Sequence, residues 1–220
     1  MNFATLGDSK YYETILINVQ NIRRIYPYAH SFVGDIGLTE DQKQEIMNYA
    51  VIVNLRKAQN AAEAMMFKTL LLFQLVQYAP ICFIDGDAVL VRRLDLEPET
   101  DVVVTVRDRT DNARINNGVF ILNKRVSGFL SGWLYELHKL TAARPYDRWN
   151  EQDAFNINTY SGHYTYTEVP MREYNHVPLK PDIPEKQVKN ETIPEGVKIV
   201  HLKNKRMNNP GLLELVRSVV

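Results

Sequence analysis

The sequence predicts an α/β fold, a mostly parallel sheet with helices on both faces. Short β-branched runs at residues 31–35, 51–55, 81–84, 102–106 and 119–122 have the length of strands and are flanked by polar or turn residues. Helical patterns separate the early runs, and these connections are long enough for parallel crossovers. Composition agrees: 45% hydrophobic and 24% charged residues suit a globular chain and not a disordered or fibrous one. At 220 residues the chain is read as one domain, residues 1–220.

Each element has a local cause. Residues 1–6 form an apolar strand stopped by Gly7-Asp8-Ser9. From Tyr12, apolar side chains at Ile15, Leu16, Val19, Ile22 and Ile25 make one helical stripe, which Pro27 ends. Residues 31–35 are a strand. Thr39 then opens a second helix, with Asp41 and Gln42 placed to cap its first turn. Residues 51–55 are expected to be a buried strand. Ala, Met and Leu throughout residues 62–78 predict a strong helix ended by Pro80. Residues 81–84 are a strand leading into Asp85-Gly86-Asp87. Two further buried strands, 102–106 and 119–122, are joined by a polar loop from Arg107 to Arg114. Helices are expected over 128–140 and 151–160, a late strand over 197–201 and a closing helix over 212–219.

Charge and cysteine usage narrow the function. Lys plus Arg equals Asp plus Glu at 26 each, so the formal net charge is zero. Nucleic acid as a partner is not expected, because phosphate backbones select clustered excess cation. A small anion held by a few local groups is still allowed. The single cysteine, Cys82, lies in an apolar run and has no internal disulfide partner, which fits a reducing compartment. The amino terminus lacks a basic segment followed by an apolar core. The longest apolar stretch, around residues 70–76, is interrupted by Gln74 and is too short to span a bilayer. A soluble cytoplasmic protein without a transmembrane segment is the expectation.

In open α/β sheets ligands collect at the carboxyl ends of the strands. Gly7-Asp8, Asp85-Gly86-Asp87 and His201 all fall there. Asp85 and Asp87 offer paired hard oxygen donors suited to Mg²⁺ or Mn²⁺, with Gly86 allowing the bend between them. A plain polar turn also explains an Asp-Gly dipeptide. His201 is a candidate further ligand, or a half-buried structural histidine. Lys203, Lys205 and Arg206 follow it and suit either a diphosphate or a solvated face. Asn116-Asn117-Gly118 offers amide donors and acceptors to a sugar, and equally reads as a turn. Glu151-Gln152-Asp153 opens a helix, where the macrodipole alone accounts for the acids. Tyr11 and Tyr12 could present an aromatic face, though Tyr12 also fits the helix stripe. Lys68 lies in an apolar helix, where its ammonium needs an anion or a route to water.

Taken in order, these segments resemble the GT-A nucleotide-sugar glycosyltransferases, specifically the family 8 group of glycogenin and the bacterial lipopolysaccharide galactosyltransferases. ICFIDGDAVLVRRLDLEP resembles that family's strand, DxD motif and following segment; RINNGVFILN its N-[AS]-G-V strand; NEQDAFN its DQD helix start. Tyr174-Asn175 is similar to its aromatic-Asn pair, KIVHLKNKR to its terminal HFxGxxKPW, and ATLGDSKYYETILINVQNIRRIYP to its opening. DIGLTEDQ resembles its D-x-G-[IL]-[ST] turn, so the likeness runs roughly from Phe3 to Arg206. The resemblance implies a metal-dependent transferase moving sugar from a UDP-sugar donor to a glycan or other hydroxyl acceptor, with retention. It implies Asp85, Asp87 and His201 as metal ligands, and Asp8 and Tyr11 at the uracil. Lys68 matches the basic residue that reaches the donor, Lys203 or Lys205 falls to its phosphates, and Asn116, Asn117, Glu151, Gln152 and Asp153 fall to the transferred sugar. The chain departs from the family at Asn204, which replaces the terminal glycine, at the missing KPW, and at Glu151, one methylene longer than Asp.

Two other functions compete. A sugar nucleotidyltransferase would carry a glycine-rich basic loop after the first strand, whereas ATLGDSKYY has one glycine. A module that binds nucleotide-sugar without turnover would keep the same fold and show no donor hydrolysis.

Overall fold

The protein is described from a computed structural model covering residues 1–97, 99–107, 114–123, 126–145, 147, 149–177, 192–203 and 209–219. Its centre is a seven-stranded sheet built from β1 (Asn2–Gly7), β2 (Ser31–Asp35), β3 (Val51–Asn54), β4 (Ile81–Ile84), β6 (Val102–Val106), β7 (Ile115–Leu122) and β8 (Tyr166–Pro170). The spatial order is β3-β2-β1-β4-β7-β6-β8. Only β7 runs against its neighbours, β4 and β6, so the sheet is mostly parallel as expected. A second, two-stranded sheet pairs β5 (Ala88–Leu90) with β9 (Ile199–His201).

Alternation along the strands builds two cores. Ala4, Phe32, Phe83, Val104 and Phe120 point to one face, where they meet α3 (Ala61–Leu75), α4 (Val126–Ala143) and α5 (Asn150–Tyr160) through Leu71, Phe129, Trp133 and Phe155. Their neighbours Phe3, Cys82, Val103 and Ile121 point to the other face and pack with Ile22 of α1 (Tyr12–Ile25) and with Ala88, Leu90 and Ile199 of the small sheet. Beside them, α2 (Glu40–Ile46) and α7 (Pro210–Ser218) close this second layer, through Ile46 and Leu212. Helices therefore cover both faces. Among the described residues no helix is long and apolar enough to cross a membrane.

Local chemistry explains most boundaries. At α2, Thr39 Oγ1 accepts from Gln42 N–H while Gln42 Oε1 accepts from Thr39 N–H, a complete capping box. Asn60 caps α3 by accepting from Glu63 N–H at 2.9 Å. Buried Asn18 and Asn21 of α1 grip β5: Leu90 N–H donates to Asn18 Oδ1, and Asn21 Nδ2 donates to the Leu90 carbonyl, both at 2.9 Å.

The structure differs from expectation in four places. β3 is an edge strand and not a buried one, with Val51 53% exposed. β7 begins at Ile115, so Asn116-Asn117-Gly118 lies within the strand and not before it. β8 and the short α6 (Met171–Tyr174) have polar, partly exposed sequences that gave no period. β5, three residues long, is below the length at which a pattern can be read, whereas the late strand expected over 197–201 is present as β9, shortened to Ile199–His201.

Candidate active site

Strand order sets the location. β2 and β3 lie to one side of β1 and β4 to the other, so the crevice opens between the carboxyl ends of β1 and β4. A cavity of about 410 Å³ sits there, lined by Gly7, Asp8 and Tyr11 after β1, by Asn60, Ala64 and Lys68 of α3, and by Asp85 and Asp87 after β4. Asn60, Ala64 and Lys68 are spaced by four and share one helix face. That spacing, with Lys68 as its pointer, would have disclosed the α3 wall from sequence.

The DGD turn is packed tightly. Asp85 N–H donates to the Gly118 carbonyl at 2.8 Å and Ala88 N–H to the Asp85 carbonyl at 2.9 Å. Gly86 is needed for space: a Cβ there would stand 2.5 Å from the Leu6 carbonyl oxygen. It is not one of the positive-φ glycines, which among the described residues are Gly37 and Gly162. Asp87 enters β5, and Ala88 pairs with His201 across to β9. The small sheet thus carries a carboxylate and an imidazole to one point.

Ligand atoms of Asp85, Asp87 and His201 all lie within 4.8 Å of one another. His201 is 3% exposed, and its Nε2 is 2.7 Å from Asp87 Oδ1. Two carboxylate oxygens and one imidazole nitrogen are a donor set that Mn²⁺ or Mg²⁺ accepts, so the residues present fit a divalent cation. Burial raises the Asp87 carboxyl, but the adjoining His201 and then Lys203 outweigh it and hold the group below its ordinary range.

Lys68 meets two carboxylates. It is 2% exposed, with Nζ 3.1 Å from Asp85 Oδ1 and 3.4 Å from Glu151 Oε1. It also donates to the Asn117 carbonyl at 3.2 Å. Burial would lower its pKa, yet Asp85 and Glu151 raise it, so the ammonium stays charged. Glu151 is 3% exposed and accepts from Asn117 Nδ2 at 2.6 Å. Burial pushes its carboxyl above the usual range against the pull of Lys68.

The remaining candidates divide. Gln152 is tied to β7, its Nε2 donating to the Ile115 carbonyl at 3.0 Å and its Oε1 accepting from Asn117 N–H at 3.2 Å. Asn116 is buried and its Oδ1 accepts from Gly118 N–H at 2.9 Å. Asp153 turns instead to Arg144, 2.8 Å away, with its own side chain partly exposed. Asp8 shapes the loop by accepting from Lys10 N–H at 2.9 Å. The Tyr11 hydroxyl is pushed up to about 12, first by burial and then by Asp87, Asp8 and Asp85. Lys205 and Arg206 lie outside the described residues.

Asn175, fully buried, is the residue whose part in the site the sequence did not disclose. Its Oδ1 lies 2.5 Å from His201 Nδ1, and its Nδ2 donates to Asn116 Oδ1 at 2.7 Å.

No family model and no curated protein matches this sequence. Solved structures do match. The chain superposes over 100% of its length on 96% of the galactosyltransferase LgtC, solved with donor and acceptor sugar analogues, with a TM-score of 0.63 at 12% identity. The fold is GT-A. Two further GT-A neighbours agree. The glycosyltransferase GlyE of Streptococcus pneumoniae matches 93% of this chain and 54% of its own, with a TM-score of 0.62 at 14% identity. A glycosyltransferase involved in glycosylating the major capsid of PBCV-1 matches 97% of this chain and 98% of its own, at 0.58 and 13%.

Proposed function

We propose that this GT-A domain is a metal-dependent glycosyltransferase. It moves a hexose from a UDP-sugar to a hydroxyl of a glycan or similar acceptor, keeping the anomeric configuration. One observation carries the reading: Asp85, Asp87 and His201 converge beside the cavity at the β1/β4 crevice. The glycosyltransferase activity of all the named structural neighbours supports it.

In this reading Asp85, Asp87 and His201 hold Mn²⁺ or Mg²⁺, which when bound neutralises the diphosphate as the nucleotide leaves. The Tyr11 ring offers a stacking face for uracil, with Asp8 at the base edge. Lys68 keeps positive charge at the inner end of the cavity, and Lys203 and Lys205 add charge after His201. Asn116, Asn117 and Glu151 line the sugar side. The Gln152 amide, held on the β7 backbone, supplies a fixed dipole at a helix start, where positive charge develops at the anomeric carbon. Asp153 enters from its position in the sequence. A general base for simple inversion needs hydrogen-bond reach of the acceptor hydroxyl; His176, beside Asn175, is the candidate for that competing route.

Calorimetry of UDP binding with Mn²⁺ and then with EDTA tests the donor half. Affinity should fall by well over about tenfold on chelation, a change of more than about 1.4 kcal/mol. Proton NMR of the first-formed product tests the stereochemistry, and a β-linked product from an α-linked donor would overturn retention. Nucleotide binding without any donor cleavage would favour the binding-module reading instead.

A further inference from the structure

We infer that Asn175 is a positioning residue for His201, holding a proton on Nδ1 so that Nε2 is the ring atom turned toward Asp87, where a cation would bind. The inference deepens the metal-site reading and rests on it.

Gly118 is the fixed point of this hydrogen-bond chain. Gly118 N–H is a backbone donor, and it lies 2.9 Å from the Asn116 side chain, so the atom facing it is the carbonyl oxygen, Oδ1. That oxygen also faces Asn175 at 2.7 Å, which requires the NH₂ of Asn175 on that side. The other end of the Asn175 amide is then its oxygen, and it faces His201 Nδ1 at 2.5 Å. An amide oxygen only accepts, so Nδ1 carries the proton. Either amide flipped would place two donors or two acceptors against each other among buried side chains, where an unmade hydrogen bond is costly.

The backbone holds the relay in place. His176 N–H donates to the Ile199 carbonyl at 2.9 Å, and His201 N–H donates to the His176 carbonyl at 2.7 Å. The segment carrying Asn175 therefore pairs with β9 itself. Gly118 completes the fit, because a Cβ there would stand 2.7 Å from Asp85 Oδ2, 2.9 Å from Asn116 Oδ1 and 3.0 Å from His201 Cε1. A histidine that ligates a metal through one ring nitrogen is oriented by the hydrogen bond at the other. Here that bond traces back to a main-chain amide of β7.

Long-range proton–nitrogen NMR of the His201 ring tests this without any metal. The wild type should show a proton on Nδ1, whether or not Nε2 shares one with Asp87; a ring whose Nδ1 is of pyridine type overturns the inference, whether or not any variant folds. Calorimetry with Mn²⁺ alone adds a second arm: Asn175→Ala should weaken binding by about 10–100-fold. Wild-type affinity together with an unchanged tautomer in a folded Asn175→Ala would also overturn it. A wild type that shows the Nδ1–H signature but binds no Mn²⁺ would refute the metal reading and leave the tautomer assignment standing.

Discussion

Gly118 is closed in by three side chains of the candidate site. Three side-chain atoms would lie at or within 3.0 Å of an added Cβ, two of them on Asp85 and His201. Gly118→Ala should therefore leave a folded chain whose Mn²⁺ affinity, measured by calorimetry, drops by at least about tenfold, comparable to losing a supporting contact of a ligand. Lys68 is the opposite case, a residue whose removal is felt in the fold. Lys68→Met leaves buried Glu151 without its cation, and breaking such a pair costs about 3–5 kcal/mol. A urea midpoint close to the wild type would refute that account. Tyr11 gives a pH test. Its folded pKa of about 12 exceeds the ordinary 10.0, so its contribution is intact below pH 10 and is lost as pH rises toward 12, where the unfolded chain ionises first. Tyr11→Phe should consequently flatten the fall of the urea midpoint across that window.

At the scale of elements, the small sheet carries the geometry of the candidate site. Asp87 precedes β5 and His201 ends β9, so the pairing Ala88↔His201 decides the distance between these two side chains. Two supports hold this sheet. Asn18 and Asn21 satisfy both main-chain groups of Leu90 from α1. Arg92 reaches the carbonyls of Pro194 and Val197, both at 2.8 Å, and fastens the approach to β9. Asn21→Ala leaves the Leu90 carbonyl buried and unmet, a loss of about 1–3 kcal/mol. Urea denaturation should register it as a lower midpoint at constant slope. The aromatic layer of Phe120, Phe129, Trp133 and Phe155 has the matching role on the other face, with Trp133 Nε1 donating to the Glu151 carbonyl at 3.2 Å. The core thereby sets the start of α5, where Glu151 and Gln152 stand.

For the whole molecule, charge balance and ligand linkage set the expectations. With 26 cationic and 26 anionic residues the formal net charge is zero, so affinity for a donor is expected to arise from the local groups around the crevice. A nucleotide-sugar at one hundred times its dissociation constant adds about 2.7 kcal/mol to the native state. For a chain of 220 residues that corresponds to a rise in Tm of roughly 5–10 °C. A thermal-shift panel of UDP-, GDP- and dTDP-sugars with Mn²⁺ should show this rise for the UDP series, and a larger shift with a GDP-sugar would overturn the base assignment.

Local pattern alone determined the α/β class, α1 and α2 with their caps and stops, and the strands that fill the sheet's centre. Alternating apolar residues such as Phe3 and Ala4 dictate a two-faced sheet, and helical stripes dictate what covers it, because side-chain period depends only on near neighbours. Asp85, Asp87 and His201 were legible as candidates for the same reason: each stands at a strand end, and DxD carries its own chemistry. Tertiary structure decided which strands pair. It ran β7 against β4, left β3 at an edge exposed to solvent, and joined β5 to β9, none of which has a local cause in runs of three or four residues. It also decided the partners of buried polar groups. Lys68 met two carboxylates, and Asn175 came to stand between His201 and Asn116. A lone amide or ammonium in a sequence names no partner. Burial forces it to find one, and only the folded chain shows which lies within hydrogen-bond reach.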